Sequence, residues 1–413
     1  MKQTKFVFLS LIGSASMILT SCSKTQAGYT DRDIGFAGTV TQHAEVQAYA
    51  TLRAARNAID GMKVTDANFW KTGFDTADDA GGKLSSEFKV SDDKRNFYAL
   101  NGAVTKANKS QFADATAVDN GIKQLDKTKH PEKSVWINLY NAGDNFLSTT
   151  YKPLLNKYAA LLNLKLTFND GDGTNESSVS DKLATGFDAY CVNLVRTNSA
   201  KTYTDKIKTY GENKPLIWFN RQPSDPTSGK LDDDALKFND YTAYVGFDAA
   251  GGGAVQGKMI VDYIKEHIND KDKNGKLILD KNGDGTIGYV LCIGDQAHND
   301  SQARTKGIRE ALGTWDGSYE AGKKKEGSIK VGDKTYKVVE LEAQEMKQNS
   351  ETWNAKVAQD TSYTWFQKRG LAIDMVVSNN DGMGMGAYTK WAQKAEVPTF
   401  GYDANTDAVA AIK

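Results

Sequence analysis

One short loop carries oxygen-bearing side chains at the spacing that calcium-binding loops use. Asp280, Asn282 and Asp284 alternate with other residues, and Thr286 follows where a backbone carbonyl ligand is needed. Because calcium takes about six to eight oxygen ligands, this stretch provides most of a coordination sphere. The place normally held by a bidentate glutamate is Leu291, and the sequence after the loop reads as a strand rather than a helix. The loop therefore predicts a calcium site that needs one carboxylate from elsewhere.

A second set of polar side chains follows short apolar runs along the chain. Its members are planar or charged groups that can form paired hydrogen bonds: Asn141, Asp144, Asn220, Arg221, Asp295, His298, Asp300, Arg304, Asn379, Asn380, Asp381 and Asp403. Taken singly, each is equally explained as a helix N-cap. Together they suit a sugar, whose hydroxyls each need a donor and an acceptor. Phe146 and Trp353 are candidate platforms for a sugar ring, with core packing as the alternative.

The segments that must position these side chains alternate between strands and helices. Apolar runs such as "SVWINLY", "PLIWF" and "IGYVLCIG" read as strands. Helical spacing occupies the segments between them, including Lys152 to Leu162, Val255 to His267, Ala303 to Leu312 and Met383 to Ala395. This alternation predicts an α/β protein with two doubly wound, Rossmann-like lobes of parallel strands joined by a hinge. Ligands bind at the carboxyl ends of such strands, here in the cleft between the lobes.

The composition fits two soluble lobes and a polar, neutral ligand. The chain has 413 residues, which is long for a single core. Its 52 Lys and Arg residues balance 52 Asp and Glu residues, which removes the electrostatic basis for a nucleic-acid partner. Cys191 and Cys292 lie in separate strand-like runs, which favours two buried thiols over a disulfide.

The N-terminus reads as an export signal. Lys2 and Lys5 precede an apolar run from Phe6 to Leu19, and Leu19-Thr20-Ser21-Cys22 resembles a bacterial lipobox. We predict that Cys22 is acylated and anchors a periplasmic protein to a bacterial membrane. A plain signal peptide, or an apolar helix too short to span a bilayer, is the alternative.

From Ser134 to Lys413 the chain closely resembles the periplasmic galactose/glucose-binding proteins, which have the type I periplasmic binding protein fold. The motifs that carry the resemblance are "YNAGDNF", "WFNRQP", "YVGFD", "VQGKMI", "DKNGDGTIGYVL", "GDQAHNDSQART", "VVSNNDGMGMGA" and "VPTFGYDA". Arg221 stands where the family commonly has lysine, which leaves its role open. The resemblance implies that Phe146 and Trp353 sandwich a sugar ring and that its hydroxyls bind Asp144, Asn220, His298, Asp300, Arg304, Asn380 and Asp403.

The same resemblance completes the calcium site. The family supplies its missing carboxylate just before the "VVxxNN" motif, a position that Asp374 occupies here. Asp374 is one methylene shorter than the family's glutamate, and Gly288 replaces a side-chain ligand. A water can fill the gap at Gly288, at some loss of affinity.

The motifs occur in an altered order, which predicts a circular permutation. Gly35 to Met62 resembles the family segment that follows the point matched by the end of this chain, and "RNFYALNGAVTKANKSQF" resembles the family's C-terminus. A permutation needs only neighbouring natural termini and a new joint, and a chance match is the alternative. Gln42 then takes the place of a sugar-contacting asparagine. The predicted divisions are a lipoprotein signal peptide (1–22), a tether (23–34), lobe 2 (35–41, 100–110 and 248–413), lobe 1 (42–99 and 134–247) and the new joint (111–133).

These features predict a lipid-anchored, monomeric substrate-binding protein with a structural Ca²⁺ ion. It would close two lobes on glucose or galactose and deliver the sugar to the permease of an ABC transporter. A sugar-sensing role as the ligand of a chemoreceptor is the alternative. An enzyme is disfavoured because Asn and Arg partners are expected to keep the cleft carboxylates ionised, whereas a general acid needs a raised pKa. A sugar-responsive repressor is excluded by the export signal.

Overall fold

The N-terminal strand of the described chain lies beside its C-terminal strand. β1 (Phe36–Thr41) pairs in parallel with β14 (Thr399–Phe400), and the backbone N–H of Lys413 donates to the carbonyl of Phe36. The computed structural model describes residues 34–77, 82–118, 120–226, 228–272 and 274–413. Cys22 and the rest of the predicted signal peptide lie outside these residues.

Strands and helices alternate along most of the described chain. The remaining strands are β2 (Phe88–Val90), β3 (Asn96–Ala99), β4 (Gly102–Val104), β5 (Lys133–Leu139), β6 (Leu164–Asp170), β7 (Ala189–Val192), β8 (Leu216–Phe219), β9 (Thr242–Phe247), β10 (Thr286–Ile293), β11 (Lys325–Val331), β12 (Lys334–Glu345) and β13 (Met375–Ser378). The α-helices are α1 (Ala44–Ile59), α2 (Lys152–Leu161), α3 (Ser177–Ser180), α4 (Ala200–Tyr210), α5 (Asp233–Leu236), α6 (Ala249–His267), α7 (Asn299–Ala311), α8 (Ala355–Arg369), α9 (Asp381–Ala387) and α10 (Thr406–Ala411).

Lobe 1 is built on a sheet with the strand order β2-β3-β9-β8-β7-β5-β6. Its strands run parallel except for β2, which pairs antiparallel with β3. The central strands β7 and β8 are buried along their whole length, as expected for a parallel sheet covered on both faces. The alanine-rich helix α1 contributes to the same core and packs against β7, β8 and β9.

Lobe 2 is built on a sheet with the strand order β11-β12-β10-β13-β14-β1-β4. Its five inner strands are parallel, while β11 and β4 pair antiparallel with their neighbours. The doubly wound architecture that the sequence predicts is confirmed, but the expectation of wholly parallel sheets is wrong at the edges. β11 escapes prediction because its residues "KEGSIKV" are mostly charged or small, which suits an exposed edge strand. No helix in the described ranges is long and apolar enough to cross a bilayer.

The chain passes between the lobes four times: from β1 to α1, from β3 to β4, from β4 to β5, and from β9 to α6. The first, second and fourth of these crossings are neighbours, since Thr41 pairs with Gly102 and Asn101 contacts Asp248. Hydrogen bonds connect these crossings. The side chain of Asn101 donates to the carbonyl of Asp248 at 2.8 Å and accepts from the Tyr402 hydroxyl at 2.7 Å. A β-carbon on Gly252 would lie 2.0 Å from that hydroxyl, so only glycine fits there. Three adjacent crossings form a hinge about which the lobes can move.

Candidate functional site

One cavity between the lobes is lined by every residue that the sequence assigns to sugar binding. The lining comprises Gln42, Asp144, Phe146, Asn220, His298, Asp300, Arg304, Trp353, Asn380 and Asp403, together with Tyr140, Leu147 and Arg221. The cavity has a volume of about 40 Å³, and about 10–15 Å³ is enough for one water. A hexose therefore requires the lobes to separate or the side chains to rearrange.

These side chains converge because most of them follow the carboxyl ends of strands that meet at the cleft. Gln42 directly follows β1, and Asn220 directly follows β8. His298, Asn380 and Asp403 follow β10, β13 and β14 within a few residues. The parallel strands of each sheet present these ends at one edge, which explains why residues far apart in sequence share a cavity.

On the lobe 1 side, Asp144 is held by its neighbours. One carboxylate oxygen accepts a hydrogen bond from the Tyr140 hydroxyl at 2.7 Å, and the other accepts from the backbone N–H of Leu147 at 2.9 Å. The guanidinium of Arg221 lies over the Tyr140 ring, 3.6 Å from its centroid. Asn220 adopts a left-handed conformation, with φ of 59°, and its backbone carbonyl accepts from the Tyr244 hydroxyl. These contacts fix the orientation of the Asp144 carboxylate and of the Asn220 backbone on the lobe 1 side.

On the lobe 2 side, α7 begins at the cleft. His298 caps this helix, because its Nδ1 accepts a hydrogen bond from the backbone N–H of Asp300 at 3.2 Å. One turn later, Arg304 donates to the carbonyl of Asn379 and lies 3.4 Å from the carboxylate of Asp403. The guanidinium also stacks on Tyr402 at 3.6 Å. Helix capping was the alternative reading of His298, and here one ring nitrogen caps the helix while the ring lines the cavity.

Gln42 reaches the site through Asp403. Its side-chain amide donates to the Asp403 carboxylate at 2.9 Å, and its own oxygen accepts from Gln47 at 3.2 Å. Gln42 therefore lines the cavity and orients an acidic acceptor within it.

Three nitrogen donors around the cavity have no hydrogen-bond partner among the described residues. They are Nε2 of His298, Nε of Arg304 and Nε1 of Trp353, all shielded from solvent. Because Nδ1 of His298 accepts a hydrogen bond, Nε2 of the neutral ring carries the proton. A buried donor without a partner is unfavourable, so these groups are poised for acceptor atoms of a ligand.

Burial controls the ionisation of the cleft. Burial raises the pKa of Asp300 to about 6, and that of Asp403 to about 7, although the positive charge of Arg304 opposes both shifts. Desolvation therefore outweighs the neighbouring charges at both carboxylates, so the partners alone do not fix their ionisation, although a pKa of about 6 leaves Asp300 mostly ionised at pH 7. Burial lowers the pKa of His298 well below its usual range, with Arg221 and Arg304 adding to the effect. His298 is thus neutral at physiological pH.

The ring of Trp353 depends on a neighbouring glycine. A β-carbon on Gly294, at the end of β10, would lie 2.4 Å from the indole. Trp353 itself has φ of 59° and stands 6.1 Å from the His298 ring in an edge-on arrangement. Phe146 lines the same cavity from lobe 1 and is 6% exposed. Both aromatic residues predicted as platforms therefore face the cleft from opposite lobes.

Sequence reasoning missed Tyr140, and it placed Asn379 in the polar set without a role of its own. Tyr140 ends the apolar run "SVWINLY", which indicates only a strand, although its hydroxyl donates a hydrogen bond to Asp144. Asn379 is fully buried beneath the cavity, where its side-chain oxygen accepts hydrogen bonds from Gly294, Ser301 and Thr305. The only signal for Asn379 was its place in the polar run after β13.

The predicted calcium loop is ordered by its own backbone. Asp280 accepts hydrogen bonds from the N–H groups of Asp284 and Gly285, and Asp284 accepts from Asn282 and from the N–H of Thr286. This network holds the predicted loop ligands in one compact turn.

Asp374 comes from a neighbouring part of the sheet and is fully buried. Its carboxylate accepts from the N–H groups of Lys281 and Gly288, which joins it to both ends of the loop. Burial raises the pKa of Asp374 to about 8, and the charges of Asp280 and Asp284 add to this effect. In the part of the chain that the structure covers, no three His, Cys, Asp or Glu side chains stand close enough to hold a metal. The oxygen donors nevertheless fit calcium in type.

Similarity to known proteins agrees with this architecture. Residues 132–200 match the family described as periplasmic binding protein domain. The chain is 27% identical over 284 residues to the D-galactose/methyl-galactoside binding periplasmic protein MglB of Haemophilus influenzae. The aligned residues cover 67% of this chain and 72% of that protein. The name of this relative describes a binding protein, in agreement with the prediction of a binding rather than a catalytic role. The resemblance to periplasmic sugar-binding proteins is thereby confirmed.

Similar solved structures include a solute-binding protein of an ABC transporter from Actinobacillus succinogenes with bound D-allose. It is 16% identical, covers 67% of this chain and 80% of its own, and has a TM-score of 0.45. Another is a Mycobacterium smegmatis protein in complex with β-D-fucofuranose, which is 15% identical, covers 67% and 75% of the two chains, and has a TM-score of 0.46.

Proposed function

We propose that this relative of the periplasmic galactose-binding proteins captures glucose or galactose between its lobes and delivers the sugar to the permease of an ABC transporter. The observation that carries the proposal is the pairing of unpartnered buried donors with carboxylate acceptors around one cleft. Arg304 and His298 supply N–H groups, while Asp300 and Asp403 supply acceptors. Vicinal hydroxyls need both kinds of partner at once. The relative named for D-galactose and methyl-galactoside binding supports this substrate class.

Binding in this proposal is coupled to closure of the hinge. Asp144 and Asn220 belong to lobe 1, whereas His298 and Arg304 belong to lobe 2, so a sugar completes its contacts only when the lobes come together. The ligand stabilises the closed form because only that form makes all the contacts. Phe146 and Trp353 would cover the apolar faces of the ring from opposite sides. A permease that recognises the closed form would then receive only loaded protein.

Titration calorimetry with D-glucose and D-galactose tests the proposal directly. We expect saturable heat from at least one sugar and a large loss of affinity in Asp300→Ala. The absence of heat from both sugars would contradict the proposal. Undiminished binding by the variant would contradict the assignment of the site. The alternative is that the sugar-loaded protein binds a chemoreceptor, and this role would use the same closed form. Loss of sugar uptake in a strain lacking the protein favours transport, whereas loss of taxis alone favours sensing.

We further propose that the loop holds a structural calcium ion. Asp280, Asn282, Asp284, the carbonyl of Thr286 and Asp374 would ligate it, and its charge would offset the repulsion between three neighbouring carboxylates. Binding only to the folded lobe stabilises that lobe. Removing calcium with a chelator should lower the midpoint of thermal unfolding, and Asp374→Asn should abolish the response. An identical midpoint with and without calcium contradicts the proposal.

A circular permutation is our interpretation of the chain order. It is supported by the insertion of β1 beside β14, by the return of β4 to lobe 2, and by the contact of Lys413 with Gly35 and Phe36. A rearranged chain that starts at Ser134 and joins Lys413 to Ile34 through a short linker should fold and bind sugar with unchanged affinity. Failure of the rearranged chain to bind would overturn this interpretation.

Lipid anchoring rests on the lipobox-like quartet that ends at Cys22. Cys22→Ser should release the protein from the membrane fraction. Retention of the serine variant in that fraction would contradict acylation at this residue.

A further inference from the structure

A second cavity adjoins the candidate sugar site between the same two lobes. It has a volume of about 230 Å³ and shares Arg221 and His298 with the first cavity. Its remaining walls come from the loops after β6, β7 and β8 in lobe 1 and from the loops after β10 and β12 in lobe 2. A substituent on a sugar bound at the first cavity can therefore extend into this one.

Hydrogen-bond donors dominate the walls of the second cavity. The hydroxyl of Thr197 is shielded from solvent and has no partner among the described residues, and the residue is only 4% exposed. Nε2 of His298 is a second buried donor without a partner. The buried guanidinium of Arg221 donates to the carbonyl of Val195 and has further N–H groups. The exposed cations of Arg196 and Lys347 add positive charge at the rim.

The two carboxylates nearest to this cavity already accept hydrogen bonds. Asp295 is the one acidic residue among the described lining, and its oxygens accept from the backbone N–H of Ala297 at 3.0 Å and the Thr352 hydroxyl at 3.4 Å. Glu176 lies behind the wall and accepts from the N–H of Arg196 and the Tyr203 hydroxyl. A group that only accepts hydrogen bonds fits these walls better than a hydroxyl, which must also donate.

A third cavity beside the sugar site has the reverse character. It has a volume of about 310 Å³ and shares Asp144, Phe146, Trp353 and Asn380 with the central one, and its charged lining residues are Asp144, Glu351 and Lys356. Two carboxylates face one cation in this cavity, whereas three cations face one carboxylate in the second cavity. The two cavities therefore distinguish an anionic substituent from a neutral one.

We infer that the second cavity is a subsite for an anionic substituent, so that the ligand class includes hexoses carrying a phosphate or a carboxylate. The inference rests on the proposed sugar site and names a further part of the ligand. Guanidinium and neutral N–H or O–H donors together match the oxygens of such groups, and charge-assisted hydrogen bonds to them are stronger than neutral ones.

Calorimetry with matched sugars tests the subsite. The ligands are D-glucose, D-galactose, their 1- and 6-phosphates, D-glucuronate, D-galacturonate and inorganic phosphate. We expect at least one sugar anion to bind about tenfold or more tightly than its parent hexose. Binding of the neutral hexoses with no gain for any sugar anion overturns the inference and leaves the proposed function standing. No binding of any sugar overturns the proposed function, and inorganic phosphate binding as tightly as the sugar anion overturns the subsite.

Two matched variants locate the substituent. Ala297→Trp fills the cation-rich cavity, and Ala355→Trp fills the third cavity, where Ala355 is likewise an exposed lining residue. We expect Ala297→Trp to remove the preference for the sugar anion while the parent hexose binds within about twofold of the original protein, which also shows that the variant folds. Ala355→Trp should keep the preference. Loss of the preference only in Ala355→Trp would overturn the assignment.

Thr197→Val and the double variant Arg196→Gln, Lys347→Gln probe the chemistry of the walls. The valine variant removes an unpartnered hydroxyl without changing the size of the side chain, and we expect the preference for the anion to fall about fivefold or more. The double variant should weaken the preference less, and mainly at low salt, because both cations are exposed. An unchanged preference in all these variants would refute the subsite.

Discussion

Replacing Asp300 by asparagine is expected to stabilise the unliganded protein while it weakens sugar binding. The Asp300 side chain is 15% exposed, and burial raises its pKa from 3.8 to about 6. The folded state therefore holds this proton more tightly than the unfolded state does. Below about pH 4 the residue is protonated in both states and ionisation has no effect on stability. Between about pH 4 and pH 6 the unfolded state ionises while the folded state still holds its proton, so the folded state loses stability until the loss is complete above about pH 6.

The size of this effect follows from the pKa shift. A shift of about two units, at about 1.4 kcal/mol per unit, gives about 3 kcal/mol of destabilisation at pH 8. Asparagine is neutral at every pH and has nearly the shape of the protonated acid, so Asp300→Asn should recover most of this free energy. The sugar complex loses a charged acceptor, which reduces affinity about 10- to 100-fold. A site built to bind hydroxyls thus lowers the stability of the free protein.

Urea denaturation at pH 8 and pH 4 measures the first effect, and calorimetry with glucose and galactose measures the second. The gain in the free energy of unfolding should be complete at pH 8 and should fall to about 0.5 kcal/mol at pH 4. Asp205→Asn is the control, because Asp205 lies on α4 with a 62% exposed side chain and should change stability by no more than about 0.5 kcal/mol. An Asp300→Asn protein that is no more stable at pH 8 refutes the argument from burial. Unchanged sugar affinity refutes the contact.

Further predictions concern other parts of the site and of lobe 2. Gly294→Ala should displace the Trp353 ring and reduce sugar affinity about tenfold or more, since the added carbon would lie 2.4 Å from the indole; calorimetry that shows full affinity contradicts this. Because sugar hydroxyls favour an ionised acceptor and the pKa of Asp403 is raised to about 7, affinity should increase between about pH 6 and pH 8. Asp403→Asn should bind weakly at a level independent of pH, and a parallel pH profile would argue against the assignment. Arg309→Ala should lower the free energy of unfolding by about 3–5 kcal/mol in urea, because it leaves the fully buried Glu340 carboxylate without its bidentate partner. A loss below about 1 kcal/mol would show that water or relaxation compensates the charge.

The strand ends were predictable because the sequence changes abruptly there from apolar to polar residues. Asn220 follows "LIWF" directly, and β8 ends at the residue before it. Since strands of one doubly wound sheet end at a common edge, the pattern alone brings Asn220, His298 and Asp403 to one cleft. The resemblance to a known family then supplied a role for each residue.

Local irregularities escaped prediction because periodicity does not encode them. Helical spacing from Met383 to Ala395 indicated one helix, but α9 ends at Ala387 and a π-helical turn occupies Tyr388–Ala392. Trp353 adopts a left-handed conformation just before the capping residue Asn354 of α8, which the sequence does not indicate. Both features are set by packing between elements rather than by the residues' own preferences.

The ionisation of the cleft could not be read from the sequence either. Burial raises the pKa of Asp403, and the positive charge of Arg304 lowers it. The sequence shows that an arginine is present but not how deeply the carboxylate is buried. Tyr140 shows the same limit, since its position at the end of an apolar run gives no sign that its hydroxyl faces the site. Contacts made across the cleft become visible only when both lobes are in place.

The contact of Lys413 with Gly35 and Phe36 has a practical consequence for optical measurement. Fluorophores attached at Ile34 and Lys413 would both travel with lobe 2, and energy transfer between them would be insensitive to ligand. A donor at Lys413 combined with an acceptor on the exposed face of α4, at Lys201, would instead span the hinge. Such a pair would turn lobe closure into a ratiometric signal and leave the cleft residues unmodified.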